Sequence, residues 1–188
     1  MMNNTKKRLF DPKLGGGSLL DLGIYPISFA SLIFKEEPKN ISATGKISSQ
    51  GVDLYNSVML TYSNGKNALL SSSFLGFLNN EAVIYGEKGY IKIPHFHYAS
   101  RVSIFSQNDD KKPNINQNQR ILWEEKEYDY SYPPPGYQFE IREVHRCLDK
   151  NLLESQIMPL DESYKIMKIL DKMRKQIGEV FPGDLRIN

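Results

Sequence analysis

Residues 56–74 read NSVMLTYSNGKNALLSSSF and predict a β-hairpin. Two runs of strand-forming residues, NSVMLTY and NALLSSSF, lie on either side of the dipeptide Asn64-Gly65. Asparagine and glycine tolerate the left-handed backbone conformation that a tight turn between two strands requires. The segment therefore predicts two antiparallel strands joined by a short turn.

Further strand-like runs lie on both sides of this hairpin. They are ISATGKI before it and EAVIYG, YIKIP, ASRVSIF and RILWEEKEYDY after it. The polar residues 107–119, between the last two runs, predict a flexible loop. Together these runs predict an open, largely antiparallel β-sheet of about six strands.

Three segments have helical patterns. Residues 18–34, SLLDLGIYPISFASLIF, are apolar on nearly every side, with Ser18 as an N-cap and a kink expected near Pro26. A second helix follows the spacer PPPG, and a third is expected to have Asp161 as its N-cap and to stop at Gly178. The order of helix, sheet and two further helices predicts an α+β fold.

Composition indicates a single soluble domain over residues 1–188, of which 40% are hydrophobic. Residues 1–8 are expected to be disordered or a non-native start. A formal net charge of +2 provides no field that favours nucleic acid or a membrane surface. We identify no apolar run long enough to span a membrane and no signal peptide. The single Cys147 fits a reducing compartment, so a cytoplasmic location is expected.

The three consecutive glycines at 15–17 do not match a nucleotide-binding loop. A dinucleotide fingerprint needs G-x-G-x-x-G after a strand, whereas the preceding RLFDPKL is a poor strand and no βαβ unit follows. A P-loop would need a Gly-Lys-Ser or Gly-Lys-Thr ending. From the residues alone, these glycines let the backbone pass close to another surface before a helix begins.

Asp21 and Tyr25 are four positions apart and would share one face of a continuous α-helix. Two interpretations are open. In the first, Asp21 hydrogen-bonds locally and Tyr25 packs as a core aromatic. In the second, the pair faces a pocket in which Tyr25 handles a proton and Asp21 binds a substrate hydroxyl. A buried acid is costly without a partner, so either interpretation requires one for Asp21.

The segment IPHFHYA places two histidines on either side of Phe96. If His95 and His97 lay on a strand they would point the same way, as some metal sites require. No third ligand stands out, so we expect no metal here and a polar, aromatic pocket wall instead. Cys147 has no activating partner in the sequence and is predicted to be a packing residue.

Four linked motifs resemble the glucose-fructose oxidoreductase and inositol dehydrogenase family, written Gfo/Idh/MocA. The motifs are FDPKLGGGSLLDLGIYPISFASLIF, GVDLYNSVMLTYSNGKNALLSSSF, YGEKGYIKIP and the C-terminal segment that begins GYQFEIREVHRCLDK. The resemblance runs from about Leu9 to Pro182. Within the family it is closest to the branch of dimeric dihydrodiol dehydrogenase and NADP-linked xylose dehydrogenase.

This resemblance implies the C-terminal domain of a two-domain, NAD(P)-dependent oxidoreductase. In the family, an N-terminal Rossmann domain binds NAD or NADP, and the C-terminal domain has an open sheet with helices on one face. The chain contains neither the dinucleotide fingerprint nor the Glu-Lys-Pro segment that carries the family's catalytic lysine. The resemblance therefore implies that the Rossmann domain is absent, that the chain alone is inactive, and that it binds no cofactor by itself.

The resemblance also implies catalytic residues. Asp21 and Tyr25 match the acid and the histidine or tyrosine of the family's active-site helix, which lies across the nicotinamide pocket. Gly16 and Gly17 would then lie near the cofactor. A phenol, with a reference pKa of about 10, is a poor base at neutral pH unless a cation stabilises the phenolate. That cation would be the lysine of the missing domain.

By the same match, Phe96 and His95 belong to the substrate pocket, and Tyr137 is a weaker candidate for its wall. The expected substrate is a sugar, polyol or diol. The family also implies a homodimer formed through the open face of the sheet. The alternative is a non-catalytic, self-associating structural module or a truncated remnant.

Overall fold

A computed structural model of the chain describes residues 8–107, 123–133 and 136–184. Of the start predicted to be disordered, residues 1–8, and the loop predicted at residues 107–119, all but Arg8 and Gln107 lie outside these ranges. Arg8 is helical and Gln107 is the last residue of a strand, so the predictions were wrong at these two positions. The described residues form two compact units, unit 1 within residues 1–78 and 152–188 and unit 2 within residues 79–151. A single domain over the whole chain stays a prediction.

The helices and strands follow the predicted order. A π-helical turn at Leu19–Gly23 leads into α1, and seven strands, a second helix and a third helix come after it. Their bounds are α1 Ile24–Phe34, β1 Asn40–Ile47, β2 Asp53–Thr61, β3 Asn67–Ser73, β4 Glu81–Gly86, β5 Gly89–Pro94, β6 Arg101–Gln107, β7 Trp123–Asp129, α2 Gln138–Asp149 and α3 Leu160–Ile177.

The predicted hairpin is confirmed. Strands β2 and β3 pair antiparallel, with Val58 opposite Leu70. Asn64 and Gly65 in the turn have φ values of 58° and 75°, the left-handed region that the dipeptide was expected to supply.

The seven strands form two sheets in place of one sheet of about six. Both are antiparallel, with the orders β1-β2-β3 in unit 1 and β4-β5-β6-β7 in unit 2. The α+β class and the antiparallel pairing are thereby confirmed. The division into two sheets was not predictable, because the pattern within one strand does not specify which other strand it pairs with.

Unit 1 has its core on one face of the three-stranded sheet. Helix α3, the π-helical turn and α1 all contribute buried apolar side chains to this face, as the predicted one-sided arrangement of helices requires. The most buried members of the core are Leu19, Ile27, Ala30, Val58, Leu60, Tyr62, Ile166, Leu170 and Met173.

The opposite face of this sheet is open within unit 1. Tyr55, Met59 and Leu69 lie on it and are 41%, 40% and 75% exposed. The remaining positions carry mostly small polar side chains, including the hydrogen-bonded pair Ser57 and Ser71. Serine and threonine dominate this face, with three larger apolar or aromatic side chains among them.

The first helical segment changes type where a kink was expected. The π-helix ends at Gly23 and α1 begins at Ile24, two residues before Pro26. Ser18 occupies the predicted N-cap position immediately before the π-helix, but its side chain makes no capping hydrogen bond. Its hydroxyl oxygen instead lies 2.8 Å from that of Ser72 on β3.

The third helix also begins differently from the prediction. Its first residue is Leu160, whose backbone N–H donates to Glu154 Oε2 at 2.7 Å. Asp161 therefore lies inside the first turn and is not the N-cap. The predicted stop is confirmed, because Gly178 takes the left-handed conformation with a φ of 79°.

The helical stretch Pro12–Phe34 is long and apolar enough to cross a membrane by length and composition alone, with a mean hydropathy of 1.5. The prediction that the chain contains no apolar run of this length was therefore wrong. In the structure, Leu19, Ile27 and Ala30 of this stretch are buried in the core of unit 1. Core packing accounts for only part of its apolar character, because Leu14 and Leu32 of the same stretch are 59% and 64% exposed.

Unit 2 contains a row of aromatic side chains on its sheet. The ring of Tyr90 on β5 stacks on Phe105 of β6 with centroids 4.5 Å apart and meets Trp123 of β7 edge-on at 5.3 Å. Tyr90 and Phe105 are direct cross-strand partners, and aromatic pairs of this kind stabilise a sheet. Helix α2 follows in the same unit and buries Cys147.

Candidate active site

Asp21 and Tyr25 lie on either side of the junction between the π-helix and α1. Asp21 belongs to the π-helical turn, and Tyr25 is the second residue of α1. Hydrogen bonds in a π-helix join residues five positions apart, so a spacing of four does not guarantee a shared face here. π-Helical turns occur frequently at functional sites, which favours this junction as one.

The two residues differ in their surroundings. The side chain of Asp21 is 26% exposed and has a cationic partner, whereas Tyr25 is 49% exposed. The interpretation of Tyr25 as a core aromatic is therefore wrong. Asp21 does hydrogen-bond within the chain, as the structural interpretation expected, but its partner is not a neighbour in sequence.

The partner of Asp21 is Arg8. Its guanidinium Nη2 donates to Asp21 Oδ1 at 2.5 Å. The loop of glycines at 15–17, hereafter the glycine loop, holds the backbone next to this arginine. The Gly17 backbone N–H donates to the carbonyl of Leu9, the residue after Arg8, at 2.8 Å. Sequence reasoning missed Arg8 because it lies 13 positions from Asp21, outside any helical period.

The two glycines leave no room for side chains because of the chain's own atoms. A Cβ on Gly16 would lie 2.6 Å from the Leu9 carbonyl oxygen. A Cβ on Gly17, which has a φ of 114°, would lie 2.5 Å from Asp53 Oδ1 and 2.9 Å from Glu179 Oε1. At these two positions the loop packs against the chain's own atoms, and the backbone N–H groups of Gly16 and Gly17 donate to the carbonyls of Asp11 and Leu9. Proximity of Gly16 and Gly17 to a cofactor bound elsewhere stays a prediction.

The histidine segment is a turn, so the condition for aligning the two histidines, that both lie on a strand, is not met. Strand β5 ends at Pro94, His95 has a φ of 49°, and residues Phe96–Tyr98 form a 3-10 turn. Left-handed backbone at His95 ends the strand and removes the alternation that would have aligned the two histidines. The His95 ring stacks on Tyr98 with centroids 5.2 Å apart.

The surroundings of this turn are aromatic. Burial, and secondarily the charge of His95, lowers the pKa of His97. His95 is exposed and Phe96 is half-buried. Among the residues that the structure describes, no three His, Cys, Asp or Glu side chains are grouped so that they could hold a metal ion.

Tyr137, the weaker pocket candidate, immediately precedes α2 and is 62% exposed. It belongs to unit 2 together with His95 and Phe96, whereas Asp21 and Tyr25 belong to unit 1. The structure thus brings Asp21, Gly16 and Gly17 together with Arg8. A pocket shared with the unit 2 residues stays a prediction.

Cys147 is buried in unit 2, with 8% of its surface exposed. Its Sγ donates to Glu143 Oε1 at 3.6 Å. Burial, and then this hydrogen bond, raises the pKa of the thiol. Because the thiolate is the reactive form, these surroundings support a packing role for Cys147.

Sequence reasoning also missed two buried acids beside the glycine loop, Asp53 and Glu179. They are 0% and 2% exposed. Burial raises the pKa of both carboxyl groups, and that of Glu179 rises to about 7. The only sequence signal was one acid at the start of β2, next to the apolar Val52, and another just after Gly178.

Relatives with established names match nearly the whole chain. A trans-1,2-dihydrobenzene-1,2-diol dehydrogenase of Xenopus laevis is 34% identical over 179 residues, which cover 95% of this chain and 52% of the relative. A scyllo-inositol 2-dehydrogenase (NADP(+)) of Bacillus subtilis is 33% identical over 182 residues, covering 97% and 51%. The chain therefore spans about half the length of the curated relatives it matches.

Solved structures show the same fold. An aldose-aldose oxidoreductase from Caulobacter crescentus, complexed with glycerol, superposes with a TM-score of 0.72 at 18% identity, covering 95% of this chain and 51% of the other. The 3-ketoreductase KijD10 from Actinomadura kijaniata, in complex with NADP and TDP-benzene, gives a TM-score of 0.71 at 17% identity, covering 93% and 50%.

Residues 2–92 match the GFO/IDH/MocA C-terminal domain. This match agrees with the order of motifs, the α+β fold and the relatives that cover nearly all of the sequence. Residues 2–92 thus belong to the GFO/IDH/MocA C-terminal domain family, and the chain as a whole is similar to dihydrodiol and inositol dehydrogenases.

Proposed function

We propose that this chain is the substrate-binding and dimerisation domain of an NAD(P)-dependent oxidoreductase that acts on a sugar, polyol or diol. One observation carries the proposal. At the π-to-α junction, Asp21 is held by Arg8, and the exposed Tyr25 follows one helical turn later. The chain's relatives are dehydrogenases of a diol and an inositol, which favours a substrate with several hydroxyl groups.

The proposed chemistry is oxidation of a secondary alcohol. NAD or NADP, held by another domain, would supply the hydride acceptor. Removal of the hydroxyl proton has to accompany loss of the hydride, and in this proposal Tyr25 Oη takes that proton. Asp21 accepts a hydrogen bond from a second substrate hydroxyl, while Arg8 fixes the position of its carboxylate.

The chain alone is proposed to be inactive and to bind no cofactor. Its glycine loop is filled by its own atoms, and a tyrosine base at neutral pH needs a nearby cation. The lysine that would supply this charge is proposed to come from the cofactor-binding half. A fluorescence titration of the 188-residue chain with NADPH should show no saturation at micromolar concentrations. Submicromolar binding would place a cofactor site on this chain.

The catalytic proposal can be tested in a chimera. The chain is joined to the N-terminal half of the Xenopus laevis relative, and NADP-dependent oxidation of the relative's named dihydrodiol is measured. In this chimera Tyr25→Phe should lower kcat at least about a hundredfold, the size of a typical general acid–base contribution. An active chimera that tolerates Tyr25→Phe would assign Tyr25 to packing.

Tyr164→Phe provides the matched control. It removes a hydroxyl from a tyrosine of α3 that is 59% exposed. The same substitution at a position outside the proposed site should leave kcat within about twofold. A comparable loss at Tyr164 would show that the assay responds to general damage.

The open face of the β1-β2-β3 sheet favours a second candidate function, self-association. Tyr55, Met59 and Leu69 are exposed there, opposite the core. In the first proposal this face joins two copies of the enzyme. A non-catalytic structural module would use it in the same way, but a chimera built from it would be inactive while still dimeric.

We place the protein in the cytosol, without a nucleic-acid or membrane partner. The support is the near-neutral charge balance and the single, buried Cys147. Cell fractionation tests this assignment, and recovery of the protein in a membrane pellet would contradict it.

A further inference from the structure

A buried polar network surrounds the start of the π-helical turn in unit 1. Its members are all less than 5% exposed and come from the glycine loop, β2, β3 and the segment after α3. They are Ser18, Asp53, Asn56, Ser72 and Glu179. None of them has a part in the proposed chemistry, so their burial needs another explanation.

Asp53 is the centre of this network. Its Oδ1 accepts the backbone N–H of Leu19 at 2.8 Å, and its Oδ2 accepts from Asn56 Nδ2 at 2.9 Å. Its own backbone N–H donates to Glu179 Oε1 at 2.8 Å. Asp53 thus connects β2, the helix start and the C-terminal segment through three hydrogen bonds of good length.

The bond to Leu19 replaces the cap that the helix lacks. A side chain at the N-cap usually accepts one of the first free N–H groups of a helix, but Ser18 makes no such bond. An acceptor 34 positions away does so instead. A carboxylate at a helix N-terminus also interacts favourably with the helix dipole.

The same carboxylates fix the loop that precedes the helix. The space where a Gly17 side chain would lie is occupied by Asp53 Oδ1 and Glu179 Oε1. The Gly17 carbonyl in turn accepts the N–H of Asp21 at 3.2 Å. Asp53 therefore lies against Gly17 and accepts the N–H of Leu19. Gly17 in turn holds the backbone of Asp21, so these two residues determine where Asp21 lies.

We propose that Asp53, supported by Glu179, is a positioning residue that sets the place of Asp21 and Tyr25 through the amide of Leu19. The inference rests on the proposed function of that pair. Asp53 touches neither substrate nor cofactor in this scheme. Its effect on turnover passes entirely through the backbone from Gly17 to Asp21.

Replacing Asp53 by asparagine tests this role with almost no change in shape. An asparagine presents one oxygen and one NH2 group in place of the two carboxylate oxygens. With Asn56 in its present orientation, in which its Nδ2 also donates to Ser72 Oγ at 2.7 Å, one of the contacts to Leu19 and Asn56 then places a donor against a donor. Swapping the two side chains, with Asp53→Asn and Asn56→Asp together, restores one donor and one acceptor between them. The double variant is therefore the rescue.

Amide hydrogen exchange by NMR on the 188-residue chain is the measurement. In Asp53→Asn, the amides of Leu19 and Asp21 should exchange about tenfold faster or more, because the side chain at position 53 can no longer accept both of its hydrogen bonds. Amides of the core residues Ile41 and Leu170 should stay within about threefold. The double variant should return Leu19 to within about threefold of the wild-type rate.

Asp161→Asn is the control, because it makes the same substitution in the first turn of α3, where the carboxyl group is 69% exposed. It should leave the exchange of Leu19 unchanged. An unchanged Leu19 amide in folded Asp53→Asn would overturn the proposal, as would equal acceleration at Ile41 and Leu170. If Asp53→Asn alone does not fold, the exchange rate of the Leu19 amide is measured in the double variant. A rate near that of the wild type supports the proposal, and fast exchange overturns it.

These outcomes are separate from those of the proposed function. An active chimera that tolerates Tyr25→Phe would contradict the catalytic role of Tyr25 and leave the exchange result intact. An active chimera in which Asp53→Asn lowers kcat about tenfold, with KM within twofold, would connect the two. An active chimera with unchanged kcat would show that the network holds the loop without serving the reaction, which overturns the positioning role.

Discussion

The guanidinium of Arg8 lies 2.5 Å from the carboxylate of Asp21, across the glycine loop that precedes the π-helical turn. The two side chains are 48% and 26% exposed, so the ion pair is at the surface. Surface ion pairs contribute little to folding because water and salt screen them. We therefore expect this ion pair to fix the position of the Asp21 carboxylate and to add little to the free energy of unfolding.

The first prediction concerns Arg8→Gln. The free energy of unfolding should fall by less than about 1 kcal/mol, the usual range for an exposed ion pair. In the active chimera, kcat/KM should fall about tenfold, because Asp21 loses its only described cationic partner. Urea unfolding monitored by circular dichroism and steady-state kinetics give the two numbers.

Lys92→Gln is the matched control for Arg8. It removes the cation of another exposed pair, with Glu81 at 2.8 Å in unit 2. Kinetics should be unaffected by it. A loss of more than about 2 kcal/mol in Arg8→Gln would mean that the pair is structural, contrary to this assignment.

The second prediction is that Gly17→Ala is more destabilising than a substitution at an open turn. An added Cβ would meet Asp53 Oδ1 at 2.5 Å, and the φ of 114° is unfavourable for any residue with a side chain. We expect a loss of about 3 kcal/mol in the free energy of unfolding from clash and strain together.

Gly65→Ala separates these two causes. Gly65 also has a positive φ, of 75°, but no atom lies within 4 Å of its added Cβ. Backbone strain alone should cost about 1 kcal/mol there. Equal losses at Gly17 and Gly65 would show that the carboxylates move aside without cost, and that the glycine loop is less constrained than its contacts indicate.

The local elements of this fold were predictable, and the contacts that build the site were not. The hairpin turn at Asn64-Gly65 and the helix stop at Gly178 depend on residues that are adjacent in the chain. The bonds from Arg8 to Asp21 and from Asp53 to Leu19 join positions 13 and 34 residues apart. Neither separation corresponds to the repeat of a helix or a strand. Arginine and aspartate are also common surface residues, so their types give no sign of these contacts.

The same reason explains the histidine turn. The apolar alternation of YIKIP correctly predicted β5, but nothing in the residues after Pro94 specified that His95 would adopt a left-handed conformation. Histidine tolerates that region only moderately well. Whether His95 and His97 share one face of a strand was therefore decided by a backbone conformation that the sequence does not specify.

The third prediction concerns the oligomeric state. The 188-residue chain should be a dimer at tens of micromolar, because Leu69 is 75% exposed on the open face of the β1-β2-β3 sheet beside Met59. Leu69→Lys should shift it to monomer and leave the circular dichroism spectrum unchanged. Light scattering after size-exclusion chromatography measures the mass.

Leu32→Lys is its control, since Leu32 is 64% exposed on α1, away from the open sheet face. It should remain dimeric. A monomeric wild-type chain would contradict self-association through this face. A Leu69→Lys variant that stays dimeric would place the interface elsewhere.

The fourth prediction follows from the buried carboxyl group of Glu179. Burial is the main cause that raises its pKa from 4.5 to about 7. The hydrogen bond from the Asp53 backbone N–H and the charge of Arg174 oppose this rise, whereas the charges of Asp53 and Asp184 add to it. The folded protein thus binds a proton at Glu179 more tightly than the unfolded chain does. This contribution to stability is complete below about pH 4.5 and is lost as the pH rises through 7.

Glu179→Gln isolates the effect. The glutamine keeps an oxygen for the N–H of Asp53 but cannot ionise, so between pH 5 and 8 the wild type should lose about 1 to 3 kcal/mol of unfolding free energy relative to the variant. Urea unfolding at four pH values measures this difference. Glu37→Gln, at an exposed position, controls for the change in net charge. Glu179→Gln can also change stability at every pH, because Glu179 accepts the N–H of Asp53. If the difference in unfolding free energy between the wild type and this variant does not change with pH, the Glu179 carboxyl group is ionised in the folded protein throughout the range, with Arg174 as its counter-charge.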